Sequence, residues 1–214
     1  HDTLKTISVK AIINHRLLGV ILLTNKGFFS INEKNQQWLL MEFSKTIIYP
    51  VTNEPYKDVS FFSPDTLMIS SDFKIFTMID LNRQRVILRK KIPDLAGACR
   101  LNDSLVFIGY TFGKMQIWNI RTQKVEQEFT TGNIGNRSSS SINDIQTASG
   151  GSIIISSGYS GIYIFNPVTR QFQQYIHEPY NPFSPAANNT DEIYCENNGN
   201  VYVTTSEAGL ILFN

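Results

Sequence analysis

The sequence predicts an all-β chain of repeated four-stranded antiparallel units, and three observations carry that expectation. The apolar residues fall in runs of 5–7, rich in Ile, Val, Phe and Tyr and bounded by Gly, Asn, Asp and Ser. Such runs read as strand and turn. No stretch shows convincing apolar spacing for an amphipathic helix. The same pattern also recurs along the whole 214-residue chain.

The recurrence is clearest in "GVILLTNKGFFSIN" (19–32), "SIIISSGYSGIYIFN" (152–166) and "NVYVTTSEAGLILFN" (200–214). Each is an apolar run, a short turn, a glycine and a second apolar run ending in Asn. Weaker copies are "TLMISSDFKIFTMID" (66–80) and "SLVFIGYTFGKMQIWN" (104–119). The last polar residues, Asn32, Asp80, Asn119, Asn166 and Asn214, stand 48, 39, 47 and 48 residues apart. Five positions before them come Gly27, Gly161 and Gly209; Gly113 is shifted by one, and the second copy has no glycine. A period of about 40–50 residues is a repeat-architecture signature, and the strand-like runs choose a β architecture over helical arrays.

Each repeat divides into four strands. The fourth gives "INDIQTA", "SIIISS", "GIYIFN" and "QFQQYIH"; the third gives "AGACRLN", "SLVFIGY", "KMQIWN" and "VEQEFTT". Four antiparallel strands in a meander make one blade of a β-propeller. A nearly continuous apolar second strand suits burial on both faces, and a polar or alternating fourth strand suits an outer edge. The chain thus reads as a single propeller region, 1–214, with blades at about 5–44, 45–93, 94–131, 132–177 and 178–214. The last blade has three strands. The N-terminal "TLKTISVKAIIN" has room for an inner strand and hardly for a donated outer one as well. The expected object is an arc of about five blades from a larger ring, with seven as the envisaged total.

Composition narrows the function. The chain is 42% hydrophobic and 17% charged with net charge +1, so no global field recruits nucleic acid or an anionic membrane. No apolar run reaches the length of a membrane-spanning helix. His1 at the start fits a processed or cut end. Cys99 and Cys195 fall on first strands of non-adjacent blades, so they are expected to be separate thiols. His1, His15 and His177 are isolated in sequence, so no zinc motif is present. "GNIGNR" (132–137) lacks the Lys-Ser/Thr end of a phosphate loop. No catalytic residue, metal site or cofactor is therefore expected, and the region reads as non-enzymatic.

Binding is expected on one face. Because strands alternate direction, turns between second and third strands share a face with the connections between blades. That face collects "TTGNIGNRSSSS" (130–141) and "HEPYNPFSPAANN" (177–189), and irregular loops on a rigid scaffold commonly carry binding. The candidate contacts are Tyr110, Phe112, Arg137, Tyr159, His177, Tyr180 and Asn181. Aromatic faces stack on the apolar faces of sugars, and Arg and Asn can bond hydroxyls or carboxylates. The competing reading is that each aromatic staples its loop and that Asn181 and the prolines shape a turn. Phe107, Trp118, Phe165 and Phe213 are expected in the core between blades.

Two stretches carry a family resemblance. "TDEIYCENNGNVYVTTSEAGLILFN" contains Asn198-Gly199-Asn200, the apolar run Val201 to Thr205, Gly209-Leu210 and Phe213-Asn214. The preceding linker carries His177, Glu178, Pro179, Asn181, Pro182 and Ser184. Together they resemble the two-component regulator propeller repeat, with Tyr202 and Ile154 where that repeat usually has Trp. The resemblance covers the last two repeats well and the first three in outline. It implies the periplasmic sensor region of a hybrid two-component histidine kinase and an oligosaccharide or other small ligand. It also implies neighbouring propeller or immunoglobulin-like domains and a homodimer as candidate partners, without direct membrane contact by this region. The alternative is a protein-interaction scaffold of WD-repeat type; no Trp-Asp closes a third strand, the nearest being Trp118-Asn119.

Overall fold

A computed structural model of the protein describes residues 8–32, 37–41, 56–71, 74–134 and 140–213. Among the described residues, two compact units can be distinguished, 1–92 and 93–214. The first holds two meander sheets. One is β1 (Val9–His15), β2 (Gly19–Thr24), β3 (Gly27–Asn32) and β4 (Gln37–Leu40), and the other is β5 (Tyr56–Ser63), β6 (Thr66–Ser71), β7 (Ile75–Asp80) and β8 (Arg85–Lys91). The second unit holds three sheets. These are β9 (Leu95–Arg100) to β12 (Lys124–Thr130), with β10 (Leu105–Tyr110) and β11 (Lys114–Asn119) between them, then β13 (Ile142–Thr147), β14 (Ile153–Ser157), β15 (Ile162–Asn166) and β16 (Gln171–Tyr175). The third is β17 (Thr190–Cys195), β18 (Val201–Thr205) and β19 (Gly209–Phe213), with three strands as the sequence predicts. Every pairing is antiparallel. These are propeller blades, and the expected all-β class holds.

The repeat's anchor residues have a physical job. Asn119 Oδ1 accepts from the N–H groups of Arg121 (3.0 Å) and Thr122 (3.1 Å), and Asn166 Oδ1 does the same for Val168 (2.9 Å) and Thr169 (3.1 Å). Asp80 Oδ1 accepts from Arg83 N at 2.9 Å. A short polar side chain that bonds the backbone two or three residues on starts a turn. The anchors thus fold the chain from third strand to fourth. Burial would raise the Asp80 carboxyl, but the Arg83 amide and guanidinium outweigh it and hold it below its ordinary range.

The repeat's glycine begins the third strand with a left-handed backbone, at φ 122° for Gly27 and 71–76° for Gly113, Gly161 and Gly209. In the second repeat, where glycine is absent, Lys74 adopts φ 61° in its place. Its N–H donates to Ser71 O at 2.8 Å and its carbonyl accepts from Ile92 N at 2.7 Å, so backbone bonds hold the strained residue.

The middle strands are well buried and the fourth strands are not: β14 is buried throughout, as are the centres of β10 and β11, while β16 alternates and β4 is exposed throughout. The first unit packs Ile21, Leu23 and Phe28 of one sheet against Leu67, Ile69 and Ile79 of the next. In the second unit, Phe107, Phe165, Phe129 and Phe172 form one aromatic cluster, with ring centroids 4.7–6.4 Å apart. Phe107, Trp118 and Phe165 are buried as expected; the Phe213 side chain lies outside the described residues.

Candidate functional site

In the second unit, the turns between second and third strands do meet the connections between sheets. Thr131 N donates to Gly113 O at 2.8 Å, and Tyr159 N donates to Ser140 Oγ at 3.0 Å. Gly161 N donates to Asn188 O at 2.9 Å. Thr190 Oγ1 accepts from Ser157 N (2.9 Å) and lies 3.0 Å from Gly161 O, tying the β14–β15 turn to the start of β17. A second polar seam runs beneath it. The buried Asp144 accepts from Ile145 N (2.7 Å) and Ile193 N (2.9 Å), joining β13 to β17 of the next blade. Ser156 Oγ donates to Asp191 O in the same seam. The face is therefore rigid where its turns are rooted.

The candidate residues sort by what their polar atoms already do. Tyr110 is half-buried at the end of β10, its hydroxyl donating to Gln116 Oε1. Gln116 passes the chain to Glu128 (2.8 Å), which pairs with Lys114 (2.9 Å), whose Nζ lies 5.5 Å from the Tyr110 ring centroid. Burial, and then the Glu128 charge, push the Tyr110 phenol up to about 12. Bonds from Lys114 and Gln116 hold the Glu128 carboxyl below its ordinary range. Tyr110 is thus committed to its own blade. Phe112 and Tyr159 are exposed at turn tips. Arg137 lies outside the described residues.

The remaining three sit in the loop 176–189, which is bonded almost entirely to itself. Pro185 O accepts from His177 Nδ1 at 2.8 Å; a carbonyl only accepts, so Nδ1 carries the proton. His177 N donates to Asn188 Oδ1 at 2.7 Å. Asn181 donates to Glu178 Oε2 (2.8 Å) and accepts from Phe183 N (3.0 Å), while Ser184 Oγ accepts from Glu178 N (3.0 Å) and lies 2.9 Å from Asn181 O. Asn181 therefore shapes the turn. These bonds hold Tyr180 at φ 72°, a left-handed conformation rare for a bulky residue, with its side chain fully in solvent. Phe183, three residues on, is 95% exposed. Sequence reasoning did not single it out; its place between Pro182 and Pro185 in an otherwise polar linker was the available signal.

Other chemistry is sparse. Cys99 and Cys195 are free thiols, as expected, and burial followed by the Asp144 charge pushes Cys195 up to about 11. Among the described residues, no group of three His, Cys, Asp or Glu side chains could hold a metal ion. Among them, too, no helix is long and apolar enough to cross a membrane.

No family model matches the chain, and no curated protein does. Solved structures do. The chain is similar to the extracellular domain of a protein described as a hybrid two-component system from B. thetaiotaomicron, at TM-score 0.66 and 18% identity over 95% of this chain. It spans 26% of that domain's length. It is also similar to the WD40 β-propeller domain of Doa1, at TM-score 0.63 and 15% identity, over 96% of this chain and 63% of that one. At these identities the likeness speaks for the fold, which is that of a β-propeller.

Proposed function

We propose that this region is the extracytoplasmic, ligand-sensing propeller of a two-component sensor histidine kinase, and that its ligand is an oligosaccharide. The observation that carries the reading is the 176–189 loop. It spends its polar groups on itself, and from the backbone those bonds hold it presents Tyr180 and Phe183 to solvent. A loop already ordered before binding leaves only the two side chains' rotamers to be fixed by a ligand. Stacking on the apolar face of a sugar ring is the chemistry such a pair offers. The His177–Ser184 linker motif, resembling that of two-component regulator propellers, and the fold shared with an extracellular two-component domain support the same reading.

On this reading the region is periplasmic and non-catalytic. It holds no cofactor and works with neighbouring propeller or immunoglobulin-like domains of its own protein. Phe112 and Tyr159 widen the aromatic platform, and Arg137 and the His177 ring supply polar contacts. Thermal-shift screening with an oligosaccharide panel tests it, since a ligand that binds the folded state raises apparent stability. A dose-dependent shift that Tyr180→Ala and Phe183→Ala abolish is expected. No shift with any sugar at millimolar concentration would sink the sensing reading and favour the protein-interaction scaffold.

A further inference from the structure

We infer that Glu178 sets the specificity of the 176–189 loop: its carboxylate accepts from the hydroxyls of a neutral sugar and repels an acidic one. This rests on the sugar-binding reading above and narrows the ligand class to neutral oligosaccharides.

The bonds the loop makes to itself use its donors more fully than its acceptors. The main-chain amides of His177, Glu178, Asn181, Phe183 and Ser184 all donate within it, and so does the Asn181 side-chain amide. Acceptors are what remain. Asn181 holds Glu178 Oε2 at 2.8 Å, and among the described residues no bond is made to Glu178 Oε1 or to His177 Nε2. Because His177 Nδ1 donates to Pro185 O, Nε2 of the neutral ring is an acceptor too.

Glu178 is also well placed. Its amide donates to Ser184 Oγ at 3.0 Å and its carbonyl accepts from Asn181 N at 3.1 Å, so its backbone is held on both sides. Asn181 directly follows Tyr180, and its Oδ1 accepts from Phe183 N at 3.0 Å. One residue thus ties the carboxylate to the stretch that carries both exposed rings. A ring can cover the apolar face of a sugar while a carboxylate beside it takes charge-assisted bonds from the hydroxyls at the edge.

The same end of the chain disfavours anions. From 171 to 214 it holds five acidic side chains, Glu178, Asp191, Glu192, Glu196 and Glu207, and no Lys or Arg, although the whole chain has net charge +1. Against them the platform proposed above sets one guanidinium, that of Arg137. A region of one sign repels ligands of that sign, and an unpaired like charge is a common way to reject a near-isostere.

Isothermal titration calorimetry of the full chain tests this, with oligomers of glucose, galactose and mannose set against the uronic-acid oligomers that differ from them at C6. At least one neutral oligomer should bind, and its uronic counterpart should bind about tenfold or more weakly. Raising the salt from about 0.05 M to about 0.5 M should narrow that gap, since exposed charges are screened. Glu178→Gln keeps the shape and an acceptor for Asn181, so the melting temperature should hold. It should weaken the neutral oligomer by about tenfold and remove most of the difference from its counterpart. Uronic oligomers that bind the unaltered protein as tightly as the neutral ones would overturn the inference and leave the sensing reading standing. So would a gap that salt does not change, or a Glu178→Gln protein with both affinities unaltered. Failure of every oligomer to bind would overturn this inference and the sugar-binding reading together.

Discussion

Gly161 and Gly209 occupy the same place in successive repeats and have nearly the same backbone, φ 71° and 76°, yet their surroundings differ. A Cβ on Gly209 meets nothing within 4 Å. A Cβ on Gly161 would overlap the carbonyl oxygen of Tyr175 and stand 3.1 Å from its carbon and 3.2 Å from the Cα of Ile176. Alanine in a left-handed conformation costs about 1–2 kcal/mol, offset by about 0.5–1 kcal/mol from a less flexible unfolded chain. Gly209→Ala should therefore cost about 1 kcal/mol or less. Gly161→Ala adds an overlap with backbone that cannot rotate away, about 1–3 kcal/mol by analogy with overpacked cores. It also displaces the group that donates to Asn188 O (2.9 Å) and accepts from Ser157 Oγ (2.8 Å), a further ~1 kcal/mol. The expected total is about 3–5 kcal/mol, or roughly 6–20 °C in melting temperature for a chain of this size. Urea and thermal unfolding of the two variants, followed by circular dichroism, measure the difference directly. Equal losses for the two would refute the argument that contact, and not φ, separates these glycines.

Four further outcomes are expected. Phe165→Ala empties the centre of the four-ring cluster and should destabilise by about 3–5 kcal/mol in urea unfolding, a cost typical of a buried aromatic. Asp144→Ala leaves the amides of Ile145 and Ile193 without their carboxylate, at about 1–3 kcal/mol for each buried orphan, and protection of the Ile193 amide from hydrogen exchange should fall. With its thiol near 11 instead of 9, Cys195 should react with iodoacetamide at pH 8 about a hundredfold more slowly than an ordinary thiol, gaining about tenfold per pH unit up to pH 10; an ordinary rate would show that it is not sequestered. Tyr110 favours its neutral form in the fold, so that stability is complete below pH 10 and is lost as pH rises towards 12. Ultraviolet titration should show one tyrosine ionising late, and Gln116→Leu, which removes its hydrogen-bond acceptor, should also weaken the link to Glu128.

Much of the architecture was legible in residues taken a few at a time. The alternation and length of the apolar runs specify strands, because a pleated backbone sends successive side chains to opposite faces. The anchors Asp80, Asn119 and Asn166 specify the third-to-fourth turn, because each bonds a backbone amide within three residues of itself. The fourth strands were recognisable as outer edges by their polarity, and the three-stranded last blade by simple inventory. The site was legible as a region, since the linker 177–189 stands out in any reading of loops.

The rest depended on contacts that the order of residues does not announce. Nothing local says that Lys74 will take the left-handed place of the missing glycine; the backbone bonds to Ser71 and Ile92 hold it there. The sequence placed Tyr110 and Asn181 among the contacts, and the structure spends their polar atoms on Gln116, Glu178 and Phe183. It left Phe183 unmarked, and the loop's internal bonds turn that ring outward. Asp144 reads as one more strand residue until β17, nearly 50 positions later, brings Ile193 N to its carboxylate. By itself, then, the sequence determined the strands, their turns and their repetition, since these arise from hydrogen bonds and side-chain alternation within a few residues. Only the tertiary structure decided which polar groups are satisfied and which aromatic rings remain free, since each depends on how side chains and backbone meet once the strands and loops are folded, at up to one repeat's distance for Asp144 and Ile193.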